Sequence, residues 1–199
     1  MIRLLGAGGL GLLLACGAVA QVIEVESNGL RYQTLTRSGV TVMLAHLPES
    51  LHKYSILQVA VSNGSAGPYT IRPEDFSFVR SDGTEVHAAP SRVVVETLFQ
   101  KASSSDLAKL VTTYENGIYG NLHLKSTNGY EARRQAYYAA SGAKTKAGLL
   151  ASALALVQTK LPAGESTDGA VFFPVNGKAL GSGRVVVRTN TDVFEFKAE

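Results

Sequence analysis

Three glycines near the N-terminus have the spacing of a dinucleotide-binding loop. Residues 6–11 fit the pattern G-x-G-x-x-G, whose backbone amides bind a pyrophosphate at the N-terminus of a helix. An acidic residue, Glu24 or Glu26, follows at about the distance at which such sites bind a ribose hydroxyl. The helix after such a loop should be amphipathic, but residues 10–20 contain no charged or hydrogen-bonding side chain apart from one thiol. The glycines alone therefore support the hypothesis that the chain is a nicotinamide- or flavin-binding oxidoreductase.

The same segment fits a secretory signal in every part. Arg3 supplies the positive start, and the apolar core from Leu4 to Cys16 is too short to span a bilayer. Ala18–Ala20 has the small-x-small pattern of a cleavage site. We therefore predict that residues 1–20 are a signal peptide, that Gln21 is the mature N-terminus, and that the chain is periplasmic or secreted.

A second cleavage site stays open. Residues 13–17 resemble the lipobox of bacterial lipoproteins, in which the cut precedes a cysteine that becomes lipidated, here Cys16. Leu14 is larger than the side chain usual at its position, which favours the cut after Ala20. In this alternative the chain is an outer-membrane or cell-surface lipoprotein, and lipidation at Cys16 is its only link to a membrane.

The cysteine count and the net charge limit the classes of function that the chain can have. Cys16 is the only cysteine, so the chain from Gln21 onward has no disulfide and no thiolate metal ligand. The formal net charge is only +3, although residues 91–160 carry nine Lys or Arg against four Asp or Glu. An exported chain that is only mildly basic is not expected to bind nucleic acid. We also expect no cofactor.

The histidines lack the spacing of metal ligands. None lies in an H-E-x-x-H motif or beside a second ligand at helical or strand spacing; they are His46, His52, His87 and His123. His46 and His87 fall on or near predicted strands, so their meeting with an acid in one cleft would favour an enzyme. The sequence predicts no metal site and no catalytic residue.

Two polar stretches have local structural roles. Glu74 and Asp75 point to opposite faces of an extended chain and are poorly placed to act on one bond. Asp75 is instead predicted to accept a backbone N–H in the turn after Pro73. Ser104 or Ser105 is predicted to cap the N-terminus of a helix.

One cluster favours binding. It combines two arginines with aromatic rings one helical turn away, a spacing that permits cation–π contact; its members are Tyr130, Arg133, Arg134, Tyr137 and Tyr138. Basic groups beside tyrosines suit an anionic or carbohydrate-rich partner, or a protein interface. The alternative is that the tyrosines pack inward and the charged side chains are simply solvated.

Two kinds of residue pattern predict which strands and helices surround this cluster. Alternating residues and turn signals predict short strands through residues 22–90 and 162–199. Residues 91–160 switch to helical periodicity, and the strongest predicted helix runs from Ala143 to Leu161. The predicted fold is mainly β: residues 21–199 form one antiparallel β-sandwich domain, interrupted by a helical insertion at 91–160.

Four stretches resemble bacterial extracytoplasmic immunoglobulin-like modules. They are Leu57–Asn63, Ile71–Phe78 with Asp82-Gly83, Leu161–Gly164 and Gly169–Pro174, and the resemblance covers about half of the chain. It implies an immunoglobulin-like β-sandwich behind a signal peptide or lipobox. Turn-and-strand patterns specify a fold and not a chemistry, so the resemblance supplies no catalytic residues.

Two functional hypotheses follow from different classes. The first is an exported, non-enzymatic module that binds a protein or cell-envelope partner, with the insertion as its contact surface. The alternative is a hydrolase of envelope material that uses the insertion as a lid over its active site.

Overall fold

The computed structural model describes residues 21–48, 51, 53–101, 103–121, 130–175 and 180–198. The predicted signal segment 1–20, with Cys16, lies outside the described residues, as do His52 and His123. Strand exceeds helix in the described chain, which confirms the predicted mainly β class.

Strands and helices follow one another in three blocks. The strands are β1 (Ile23–Ser27), β2 (Leu30–Arg37), β3 (Val40–His46), β4 (Tyr54–Asn63), β5 (Tyr69–Ile71), β6 (Phe76–Arg80), β7 (Glu85–His87), β8 (Thr159–Leu161), β9 (Ser166–Pro174), β10 (Gly183–Arg188) and β11 (Val193–Ala198). The helices are α1 (Ser91–Lys101), α2 (Ser104–Asn121), α3 (Tyr130–Ala139) and α4 (Ala143–Leu154). All four helices therefore fall in the predicted insertion.

The first sheet has five antiparallel strands in the order β1-β2-β3-β4-β9. Its first two connections are two-residue turns at Asn28-Gly29 and Ser38-Gly39, with Ser27 paired to Leu30 and Arg37 paired to Val40. Each of the four turn residues has a positive φ, between 49° and 81°. Turns of this kind match the right-handed twist of the strands, so they fix the register of both hairpins.

A second antiparallel sheet has the order β11-β10-β6-β7, and β5 pairs with β8 in a separate two-stranded ribbon. One face of the first sheet and one face of the second contribute side chains to a common core. Its members include Leu57, Val59, Val61, Phe76, Phe78, Val185, Val187, Phe194 and Phe196. Their alternate spacing along each strand follows from the two-residue period of a pleated strand.

The helices cover the other face of the first sheet. Sheet residues such as Ile56 and Phe172 share a second core with apolar side chains of the helices, including Val94, Leu98, Leu107, Leu110 and Leu154. The described helices of the segment 91–160 are therefore packed on the sheet as a layer, and removing them would expose an apolar sheet face to water.

Asn63 joins two of the stretches that carry the immunoglobulin-like resemblance. This fully buried side chain donates from Nδ2 to the carbonyls of Gly67 (2.8 Å) and Leu161 (3.0 Å). The N–H of Gly164 donates to the Asn63 carbonyl at 2.6 Å. The end of β4 and the turn after β8 thus form one hydrogen-bonded corner.

The last predicted helix is too long. It ends at Leu154, not at Leu161, because the chain beyond it bonds to other strands. The N–H of Leu156 donates to the carbonyl of Ala170 at 2.9 Å, and Thr159–Leu161 pairs with β5. Pairing with strands distant in sequence therefore overrides the local helical pattern.

Two local predictions have different outcomes. Pro73–Asp75 forms a short 3₁₀ helix and not an extended stretch, so that part of the prediction is wrong. Asp75 does accept the backbone N–H of Arg72 (2.9 Å), and it also accepts from the Arg72 guanidinium at 2.9 Å, which confirms the turn role. The helix cap is Ser103, whose Oγ accepts the N–H of Asp106 at 3.1 Å, so the prediction of Ser104 or Ser105 is wrong by one or two positions. Among the described helices, none combines the length and apolar character needed to cross a bilayer.

Candidate functional site

The predicted Tyr/Arg cluster lies on α3. Arg134 Cζ lies 5.4 Å from the centroid of the Tyr138 ring, the cation–π contact that the spacing permits. The Tyr138 side chain is 63% exposed. Arg134 and Tyr138 therefore form an accessible pair on the helical layer.

The rest of that cluster does not join the pair at the surface. Arg134 Nε is 2.8 Å from Glu115 Oε1 on α2, so much of its charge is compensated within the chain. Tyr137 is partly buried against the core under the helices, with its ring 5.1 Å from that of Tyr138. The side chains of Tyr130 and Arg133 lie outside the described residues.

A second surface lies on the first sheet, where the helical layer ends. A groove of about 540 Å³ opens there, and we call it the edge groove. It is lined by residues of β1 to β4, including Val25, Glu26, Tyr32, Thr34, Met43, Ala60 and Ser62. Apolar groups with a few hydroxyls make a surface that can hold apolar side chains and orient them by hydrogen bonds.

The outer wall of the edge groove is the edge strand β1. Val25 stands opposite Tyr32 and Ile23 opposite Thr34, so both apolar side chains belong to the grooved face of the sheet. They are 54% and 61% exposed. The described chain therefore leaves adjacent apolar side chains in water at the edge of the groove, a feature that marks interaction sites.

Buried polar groups fix the inner end of the groove. Tyr32 Oη donates to Gln58 Oε1 at 2.9 Å, and Gln58 Nε2 donates to the backbone carbonyl of Tyr114 on α2 at 2.7 Å. Tyr114 Oη in turn donates to the buried carboxylate of Asp168 on β9. Burial raises the pKa of Tyr32 above its ordinary value, which keeps its hydroxyl protonated as a donor. This network ties α2 to three strands of the first sheet.

Gly117 lets α2 lie directly on that network. A Cβ at this position would lie 2.5 Å from Tyr32 Oη and would also collide with the Gln58 side-chain amide. The hairpin turn beside the groove is held to the same helix, because Asn28 Nδ2 donates to the carbonyl of Asn116 at 2.8 Å. One end of α2 therefore positions both the floor and the outer hairpin of the edge groove.

The histidines have separate surroundings in the structure. His46, on β3, has its Nε2 2.7 Å from Ser55 Oγ, and His87 lies on β7 of the second sheet. Within the described ranges, no three His, Cys, Asp or Glu side chains are grouped so that they could hold a metal ion.

The contact of the His46 ring with buried Ser55 gives the stability of the protein a small dependence on pH, although the residue as a whole is exposed. Desolvation of the ring beside buried Ser55 lowers the pKa of His46 below 6.5. As the pH falls below 6.5, the unfolded chain therefore takes up a proton at this position before the folded chain does, and stability decreases until the folded pKa is passed. We expect His46→Gln to reduce the fall in the free energy of unfolding between about pH 7 and pH 5.

Urea denaturation across this pH range measures the effect. His87→Gln, which removes a histidine of the same exposure class from the other sheet, is the control for losing a histidine in general. A wild-type fall that His46→Gln leaves unchanged would show that the His46 ring is not the group responsible.

Comparison with known proteins identifies no relative of this chain. No family model matches the chain, no curated protein matches it, and no solved structure matches it.

Proposed function

We propose that this chain is an exported, non-enzymatic module that binds a protein partner in the cell envelope, and that the edge groove is its contact surface. The proposal includes the immunoglobulin-like β-sandwich as the fold class, supported by the two antiparallel sheets that share one core. It also includes the signal peptide at 1–20, supported by the charge, apolar core and cleavage pattern of that segment.

The observation that carries the proposal is the exposure of Ile23 and Val25 beside an open apolar groove. Each of these side chains is more than half exposed, although both are large and apolar. Single exposed apolar residues are ordinary, but these two lie on the same face of an edge strand, and Val25 also lines the groove, so together they form a patch. A partner that covers the groove would remove this surface from water and gain the corresponding free energy.

The helical surface around Tyr138 is the weaker contact site. Its cation is paired with Glu115, and Tyr137 is turned toward the core. The pair of Arg134 and Tyr138 is consistent with an ordinary solvated helix face. Two large apolar side chains, Ile23 and Val25, are exposed beside the edge groove, whereas Tyr138 is the exposed large apolar side chain on α3. We therefore place the partner at the edge groove and not on α3.

Site-directed photo-crosslinking compares the two surfaces in the full chain. A photo-reactive phenylalanine analogue replaces Val25 in one variant and Tyr138 in the other, which is a matched control because both side chains are exposed. After irradiation of an exporting bacterial host, we expect one discrete adduct in the exported fraction from position 25. Position 138 should give only diffuse, weak adducts.

Adding Met43→Arg to the position-25 variant tests whether the groove itself is used. An arginine at this lining position would fill the groove, so the adduct should be lost while the protein is still exported. A discrete adduct from position 138 and none from position 25 would instead place the contact on the helical layer. An adduct from position 25 that survives Met43→Arg would contradict the role of the groove.

A further inference from the structure

The edge strand β1 has a free side. Within the described chain it pairs only with β2, on one side, and forms the first strand of the five-stranded sheet. An edge strand presents a row of backbone N–H and C=O groups that can bind another extended chain. Natural edges often carry proline, lysine or a bulge to prevent this, and β1 (IEVES) has no proline or lysine and pairs in unbroken register.

The side chains of β1 alternate in chemistry as well as in direction. By register, Ile23 and Val25 belong to one face of the sheet, and Glu24 and Glu26 alternate with them on the other. Val25 and Glu26 both border the edge groove. All four are exposed. A strand added at this edge would therefore meet an apolar row on one face and an acidic row on the other.

The next strand only partly compensates the acidic row. Glu24 faces Gln33, whose Nε2 donates to Glu24 Oε1 at 2.8 Å, so a neutral amide is its neighbour on β2. Glu26 faces Arg31, which offsets part of its charge from the inner side. The outer side of β1 is thus left with a net negative character.

This acidic row opposes the pairing of β1 with the same strand of a second copy. An antiparallel two-fold pairing centred on Val25 places each Glu24 opposite a Glu26. Like charges directly opposite one another destabilise a strand pair, whereas opposite charges stabilise it. The edge therefore disfavours self-association and favours a partner strand that carries basic residues.

From these observations, and on the basis of the proposed function, we infer that β1 binds an extended segment of a partner protein in which apolar and Lys or Arg residues alternate. The segment becomes a sixth strand of the first sheet. Its apolar side chains extend the apolar row of Ile23 and Val25 beside the groove, and its basic side chains lie opposite Glu24 and Glu26. Backbone hydrogen bonds supply affinity, and the alternation supplies specificity.

Synthetic hexapeptides test this inference with the purified protein. One peptide alternates valine and lysine, the second alternates valine and glutamate, and the third has the first composition with its lysines grouped at one end. Fluorescence anisotropy measures each dissociation constant at low salt. We expect the alternating lysine peptide to bind at least about tenfold more tightly than either of the others.

Charge reversal on the protein gives the decisive comparison. In the double variant Glu24→Lys/Glu26→Lys the preference should invert, so that the glutamate peptide binds at least about tenfold more tightly than the lysine peptide. The matched control is Glu195→Lys on β11, an exposed glutamate on the edge strand of the other sheet, and it should leave the preference unchanged.

Other outcomes overturn the inference. Equal binding of all three peptides, or no binding at about 1 mM, would contradict it. So would a concentration-dependent dimer in sedimentation that Val25→Lys abolishes, because a second copy would then occupy the edge. If position 25 still cross-links to a cellular partner while the peptides fail, the proposed function stands and only the partner chemistry is wrong. If the peptides behave as expected and no adduct forms, the proposed function fails and the strand preference stands.

Discussion

Gly169→Ala is expected to lower the free energy of unfolding by about 3 kcal/mol, although it adds a single methyl group. Gly169 lies in β9 directly against the chain that leaves α4. A Cβ there would lie 2.7 Å from the backbone N of Leu156 and would also collide with the Leu156 Cα. Backbone atoms cannot rotate away as a side chain can, so the chain at residues 155–156 has to move off the sheet.

That movement has a further cost, because the N–H of Leu156 donates to the carbonyl of Ala170 next to the glycine. Urea denaturation followed by circular dichroism measures the change, provided that the m-value is unaltered. The matched control is Gly67→Ala, since a Cβ at Gly67 has no atom within 4 Å and its φ is not in the left-handed region. The control should shift stability by less than about 0.5 kcal/mol. An equally small shift for Gly169→Ala would show that the contact with Leu156 is looser than described.

The crossing at Leu156 also explains why the end of α4 could not be read from the sequence. Ala143 to Leu161 has apolar residues at helical spacing, and no glycine or proline interrupts the run after Leu154. The segment leaves the helix because β9 and β5 offer it backbone partners. Those partners lie outside the segment in the sequence, so its local pattern of residues cannot reveal them.

Hairpin turns were the most predictable part of the fold. Ser38-Gly39 marks the β2–β3 turn as the sequence indicates, because that turn needs positive φ at both positions. Asn28-Gly29 is an equally strong signal, but the strand pattern predicted from residue 22 onward does not define β1 as a separate strand. The strand has two glutamates in five residues and an exposed apolar pair, so it lacks the half-buried alternation by which strands are usually recognised.

Without β1 defined as an edge strand, the edge groove cannot be predicted from the sequence. Most of the residues that line it are threonine, serine, alanine, valine and methionine, which carry no chemical signature in a sequence; Tyr32 and Glu26 are the exceptions. The Tyr/Arg cluster on α3 was visible because arginine and tyrosine at helical spacing form a recognisable pattern. The structure places Arg134 and Tyr138 together as that spacing permits, but the compensation by Glu115 comes from another helix. A binding role for α3 therefore stays a prediction.

The buried polar network offered a fainter signal. Gln58 interrupts a run of apolar residues in β4, and Asp168 follows a turn just before the apolar end of β9. A polar side chain inside a buried strand needs a partner, because burying it without one costs several kcal/mol. The pattern thus indicates that partners exist. Only the packing of α2 on the sheet identifies them as Tyr32 and Tyr114.

Tyr114→Phe is expected to lower the free energy of unfolding by about 2 kcal/mol, because it removes the hydroxyl that donates to the buried Asp168 carboxylate. The phenyl ring keeps its packing in the core under the helices, so the loss reports the hydrogen bond and not a cavity. Tyr138→Phe is the matched control: it removes a hydroxyl from an exposed tyrosine of the same helical layer and should change stability by less than about 0.5 kcal/mol.

A double-mutant cycle separates the bond from the rest of the network. Asp168→Asn alone and combined with Tyr114→Phe should give a coupling free energy of at least about 1 kcal/mol, since the two residues are in direct contact. A coupling near zero would mean that the hydroxyl and the carboxylate act independently, and that the network does not hold α2 on the sheet. With the coupling present, Tyr114→Phe should also raise the hydrogen-exchange rates of α2 amides near Gly117, because the helix would be held less firmly over Tyr32 and Gln58. The edge groove would then lose the rigid inner end against which a partner strand is aligned.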